Sequence, residues 1–138
     1  MRKKKAALWM FITVFVGVLS STLLHAAEGA SSVTKSQICK AGVATVMGRD
    51  PNIMRIDREA QGVVYLSYVR GDDGSLWSYK CKIDGSLIIW GSDTGRWRDN
   101  LADPTVTYRI QSETIQVQEK YSDGSTNKKS FKLNQIGN

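Results

Sequence analysis

Histidine and cysteine are what this 138-residue chain has least of: His25 stands alone, and Cys39 and Cys81 are the two thiols. His25 falls in an N-terminal segment with the layout of a secretory signal, so removal of that segment leaves no imidazole at all. That excludes Ser-His-Asp and Cys-His nucleophilic machinery from the remainder. It also excludes histidine-based zinc sites, and two cysteines cannot supply four ligands. No cofactor is therefore expected. Solenoid-length repeats, low-complexity stretches and linkers are missing too, which leaves room for one domain.

Arg2, Lys3, Lys4 and Lys5 form a cationic start, Ala6 to Leu19 is an unbroken apolar run, and Ser20, Ser21 and Thr22 break it. Leu24, His25 and Ala26 then offer a cleavage site. The expected division is a signal over residues 1–26 and a single exported α+β domain over 27–138. If the segment is not cleaved, its length suits an inner-membrane anchor with the domain outside. Of the 19 basic and 13 acidic residues, four basic ones leave with the signal and no acid does, so 15 face 13. Such a balance lacks the footprint of a nucleic-acid binder. In an oxidising compartment Cys39 and Cys81 are expected to pair.

Thr34 and Gln37 fit a capping box, and Ile38, Gly42 and Val46 recur every four residues beside Cys39, Val43 and Met47. Gly48 and Asp50-Pro51 supply a stop, so the pattern predicts a helix over Lys35 to Met47. Beyond it, strands are predicted over Met54–Arg58, Val63–Arg70, Leu76–Ile83, Ser86–Trp90, Thr105–Gln111, Thr114–Tyr121 and Thr126–Leu133, separated by Gly- and Asp-rich turns. In Leu76–Ile83, Trp77, Tyr79, Cys81 and Ile83 share one face, and Ser78, Lys80 and Lys82 share the other. The expected fold is one N-terminal helix packed on a six- to seven-stranded antiparallel meander, either open or partly closed into a barrel. A Cys39–Cys81 disulfide would pin the helix to the sheet. Lys128-Lys129 reads as a charged guard on an edge strand.

The loop from Gly91 to Pro104 holds the residues best suited to binding. Arg96, Trp97 and Arg98, with Trp90 nearby, put planar indoles beside guanidinium groups, which can stack on a sugar or hold carboxylate and phosphate. In the competing arrangement Trp97 folds back as a plug, and the arginines pair with Asp93, Asp99 or Asp103. Asp93-Thr94-Gly95 is the aspartic-protease triplet, but Gly91 and Ser92 separate it from the preceding apolar strand, and it reads as a turn. Arg70-Gly71-Asp72-Asp73-Gly74 lacks EF-hand spacing and also reads as a turn.

Ile38-Cys39-Lys40-Ala41-Gly42, Met47-Gly48-Arg49-Asp50-Pro51, Trp77-Ser78-Tyr79-Lys80-Cys81-Lys82, Ser92-Asp93-Thr94-Gly95-Arg96-Trp97-Arg98 and Tyr121-Ser122-Asp123-Gly124-Ser125 together resemble a group of small uncharacterised exported bacterial proteins. Tyr79-Lys80-Cys81 followed by Gly85 is also similar to a strand of the periplasmic inhibitors of C-type lysozyme, which are small disulfide-containing β-barrels. That likeness implies inhibition of an envelope enzyme, although here Cys39 lies in the predicted helix.

The expectation for function is a non-enzymatic binding module of the envelope or periplasm. Its partner would be an envelope protein, a glycan or an anionic component. The alternatives are an inhibitor or immunity-type protein that occludes an envelope-acting enzyme, or a small hydrolase built on carboxylates.

Overall fold

Helix α1 spans Lys35–Met47 in the computed structural model, which describes residues 32–137; the expected signal over 1–26 lies outside the described residues. Both halves of the capping box form: the Thr34 hydroxyl accepts from the Gln37 backbone N–H at 3.2 Å, and the Gln37 side chain accepts from the Thr34 N–H at 3.1 Å. Gly48 ends the helix in the left-handed region at φ 61°, its N–H directed at the Ala44 and Thr45 carbonyls.

Seven strands follow: β1 Arg55–Ala60, β2 Val63–Val69, β3 Leu76–Asp84, β4 Leu87–Ser92, β5 Thr105–Gln111, β6 Thr114–Lys120 and β7 Thr126–Lys132. They pair antiparallel in sequence order, so the sheet is a meander with β1 and β7 as its edges. The two edges do not meet, and the sheet stays open rather than closing into a barrel. Strand β1 starts one residue later than expected because a 3-10 turn over Pro51–Ile53 takes Met54 as its cap. The β1–β2 register shifts between Ile56 and Arg58. The same feature recurs in two of the longer turns: Asp73 Oδ1 accepts from the N–H and hydroxyl of Ser75, two residues on, and Asp123 Oδ1 does the same for Ser125. These are side-chain mimics of a backbone turn.

Alternation assigns the faces. Cys81 stands opposite Val64 and Trp90, and these positions face the helix. Ile38, Cys39 and Val43 of α1 belong to one buried cluster with Val64, Leu66, Tyr79, Ile88, Ile115 and Val117 of the sheet. The Cys39–Cys81 disulfide joins helix to strand β3 through Cα atoms 5.9 Å apart. Gly42 gives α1 its close approach to the sheet, since a Cβ there would lie 2.8 Å from two Ile88 carbons. Trp77 shares the inner face by register with Tyr68, yet it is 42% exposed.

One helix about 10 Å across cannot cover seven strands spaced about 4.8 Å apart. On the β7 side the uncovered inner face is a cleft of about 770 Å³ between the end of α1, the Pro51–Ile53 turn, Phe131 and the C-terminal residues. Those C-terminal residues are tied to the helix: Lys40 Nζ donates to the Gly137 carbonyl at 2.7 Å, and Gln37 Nε2 to that of Ile136 at 3.3 Å. Burial lowers the pKa of Lys40. Among the described residues no helix is long and apolar enough to cross a membrane.

Candidate functional site

The loop after β4 is shaped by a gap in the sheet. Strands β4 and β5 pair only at Leu87 and Thr107, with the Tyr108 N–H reaching the Ser86 carbonyl at 2.9 Å. Beyond that point the strands diverge, and the loop fills the space: the Arg98 N–H donates to the Trp90 carbonyl at 2.7 Å. Asp93-Thr94-Gly95 forms the expected turn, closed by the Gly95 N–H on the Ser92 carbonyl at 3.0 Å. Gly91 permits the loop to lie against β4, since a Cβ there would come within 2.4 Å of the Arg96 carbonyl oxygen.

The four residues singled out in the sequence are divided between two faces. Trp97 lies on the outer, solvent-facing side, with Lys80 Nζ 4.7 Å and Lys82 Nζ 4.5 Å from its ring centroid. Trp90 lies on the inner side, its ring 6.2 Å from that of Tyr79 and with the Arg98 guanidinium 5.6 Å from its centroid. Burial, and secondarily hydrogen bonding of the Tyr79 hydroxyl toward Tyr68, raises the pKa of Tyr79 well above that of a free phenol.

Arg96 is already engaged. Its guanidinium makes a two-pronged pair with Asp103 at 2.7 Å on each side, and Arg98 approaches the same carboxylate at 3.7 Å. Asp103 also accepts from the Asn100 N–H at 3.0 Å. Hydrogen bonding to Arg96 is the largest cause holding Asp103 down to about 2, and it raises Arg96 in turn. The depressed carboxylate adds to the order of the loop fully above its unfolded value of about 3.9, and that contribution is lost as pH falls toward 2. The Trp97 indole resonance should accordingly hold steady from pH 7 to about 4 and move only below that. In Asp103→Asn the acid-dependent movement should vanish. Movement centred above pH 5 in the unaltered protein would contradict the pairing.

The outer face continues beyond Trp97. Arg58 stands opposite Tyr65 and Tyr65 opposite Lys80, with the Arg58 guanidinium 3.5 Å from the Tyr65 ring centroid. Arg58, Tyr65, Lys80 and Trp97 thus form a transverse row of alternating cations and rings, and Lys82 completes it. Pairing also puts Arg109, Lys120, Lys128 and Lys132 on this side. Among the described residues, none of these cations forms an ion pair with a carboxylate; the pairs that do form involve Arg55, Arg70, Arg96 and Arg98. Acids are concentrated in turns, on the inner side as Glu59 and Glu119, and at the hairpin end as Asp84. Residues 27–138, with 15 basic and 13 acidic residues, therefore present a basic face despite little net charge.

Sequence inspection separated Lys80 and Lys82 from the apolar positions of β3, but it gave no reason to join them to Trp97. By sequence Tyr65 reads as a core or rim aromatic rather than a ligand platform, and Arg58 only as the end of a strand, because a cross-strand row becomes visible only once the register is known. The 770 Å³ cleft on the inner side is larger, but Arg49, Asp50 and Lys129 give it mixed charge and no preference of sign. No cluster of three or more His, Cys, Asp or Glu residues able to hold a metal occurs among the described residues.

Fold and site together define a disulfide-pinned α+β domain with a cationic, aromatic sheet face. No protein-family model, curated protein or solved structure matches the chain.

Proposed function

We propose that this protein is an exported, non-enzymatic binding module of the cell envelope, periplasm or extracellular space, and that it holds an anionic partner on the outer face of its sheet. The observation that carries this is the placement of Lys80 and Lys82 on the Trp97 ring with no acid paired to either among the described residues. Stacked cations are held in place while their charge stays available to a ligand. The disulfide supports an oxidising compartment, and the cationic-apolar N-terminal segment supports a route to it. Of the residues singled out in the sequence, Trp97 is assigned direct contact. Arg96, Arg98 and Trp90 hold the loop that carries it.

Binding of fluorescent poly-L-glutamate at low salt tests this. The unaltered protein should bind and should release the polymer as salt rises, because exposed charges are screened. Lys80→Glu combined with Lys82→Glu should weaken binding by about tenfold or more. Equal binding by the double variant, or no binding by the unaltered protein, would sink the proposal. An inhibitor or immunity-type protein would instead form a one-to-one complex with a single enzyme, burying roughly 1,200–2,000 Å². The lysozyme inhibitors named above are barrels, whereas this sheet is open.

A further inference from the structure

On the same outer face, the strands β5, β6 and β7 form a groove of about 400 Å³ lined by Thr107, Arg109, Gln116, Gln118, Lys128 and Ser130, and by the intervening Tyr108, Val117 and Lys129, which by register alternate to the inner face. A recess of that size falls within the range of small-ligand sites. Register fixes how the six outer side chains are arranged. Thr107, Gln118 and Lys128 stand in one transverse row, and Arg109, Gln116 and Ser130 stand in the next. The result is a grid of two rows by three strands. Arg109 and Lys128 occupy opposite corners, Thr107 and Ser130 the other two, and the glutamines fill the centre.

Ideal strand spacing puts the two cationic corners about 12 Å apart at the backbone. Arg109 Nε donates to Gln116 Oε1 at 2.5 Å, and among the described residues neither the Gln116 amide nitrogen nor the terminal Arg109 nitrogens make a hydrogen bond. Each glutamine amide offers both a donor and an acceptor, and each hydroxyl can serve as either. A row of adjacent sugar hydroxyls presents that same mixture, and a carboxylate on the ring suits Arg109 or Lys128.

We infer that this groove binds one acidic sugar unit of a polysaccharide, a uronic acid whose hydroxyls meet Gln116, Gln118, Thr107 and Ser130 while its carboxylate meets Arg109 or Lys128. This rests on the proposed anionic partner and names its class. A plain polyanion uses only the two corners and leaves the central amides without a ligand partner. A nucleic acid strand finds no aromatic ring among these six side chains on which to stack a base. A lipid surface finds no apolar side chain among them to insert.

The test compares polygalacturonate with poly-L-glutamate at equal carboxylate concentration and salt, because both polymers carry carboxylates and only the first carries ring hydroxyls. The full chain should bind polygalacturonate about tenfold more tightly, since a site built to hydrogen-bond hydroxyls discriminates against an analogue without them. Gln116→Leu with Gln118→Leu should abolish the preference while leaving poly-L-glutamate affinity within about twofold. Thr107→Val with Ser130→Ala should reduce it in the same direction, and it guards against a folding defect in the leucine variant. Equal affinity for the two polymers would overturn the sugar site while leaving the anionic partner standing. A preference that survives both double variants would place the sugar elsewhere and overturn the groove. Failure to bind either polymer would remove both proposals.

Discussion

Replacing Cys39 and Cys81 together by alanine is expected to destabilise the domain by about 4 kcal/mol. The bridge spans a sequence separation of 42 residues, and in the chain-entropy account a loop of that length restricts the unfolded ensemble by that amount. Against a total stability of about 5–15 kcal/mol for a domain, the loss is a large fraction. It should lower the thermal midpoint by about 15–30 °C for a chain of this size. The structural consequence is local as well, because α1 is the only long helix among the described residues and the bridge ties it to the central part of β3. Urea titration with and without reductant measures the effect. The unaltered protein should shift on reduction and the alanine pair should not. A shift under 1 kcal/mol would mean that packing alone holds the helix.

Leu66→Ala should cost about 3 kcal/mol, within the usual span for a buried leucine. Leu66 is fully buried on the inner face of β2, opposite Ile56 on β1 and Tyr79 on β3, in the cluster under α1. Its removal loses the transfer free energy of the side chain and opens a cavity that the flanking strands, held by their ladders, can only partly close. Leu87→Ala provides the comparison. Leu87 is on the outer face of β4 and 37% exposed, so its truncation should cost less than about 1 kcal/mol. Equal losses at the two sites in urea unfolding would contradict the assignment of faces.

These two expectations differ in how they were reached. The cysteine pair was legible in the sequence because the helix pattern put Cys39 on or beside an apolar stripe and strand alternation put Cys81 on an apolar face. The sequence marks a strand over Val63–Arg70 without singling out Leu66, whose burial shows only once β2 is placed between β1 and β3 beneath α1. The β1 boundary was displaced because Pro51–Ile53 forms a 3-10 turn that ends at Met54, a local choice that strand propensity does not register. Trp77 was assigned to the apolar face and stands on it by register, but burial depends on what lies above, and it remains 42% exposed.

Trp90, Arg96, Trp97 and Arg98 show where sequence proximity misleads. They are close in the chain and similar in chemistry, yet the loop divides them. Trp97 meets lysines of β3 on the outer side, Trp90 meets Tyr79 on the inner side, and Arg96 is held by Asp103. The gap between β4 and β5 causes this division, since it draws the loop back beside Trp90. A gap of that kind depends on how two strands diverge after one pair, which no local pattern encodes.

By itself the sequence determined the helix with both of its caps, six or seven strands in meander order, a cysteine pair placed to bridge helix and sheet, and the alternation that gives β3 its two faces. Each follows from interactions within a few residues or from the period of two that any strand obeys. Only the tertiary structure decided that the sheet stays open, that Lys80 and Lys82 share the Trp97 ring, and that Arg109, Gln116, Gln118 and Lys128 meet in one groove. Those facts depend on register between strands and on the path of a loop, where residues far apart in the chain are brought within contact distance.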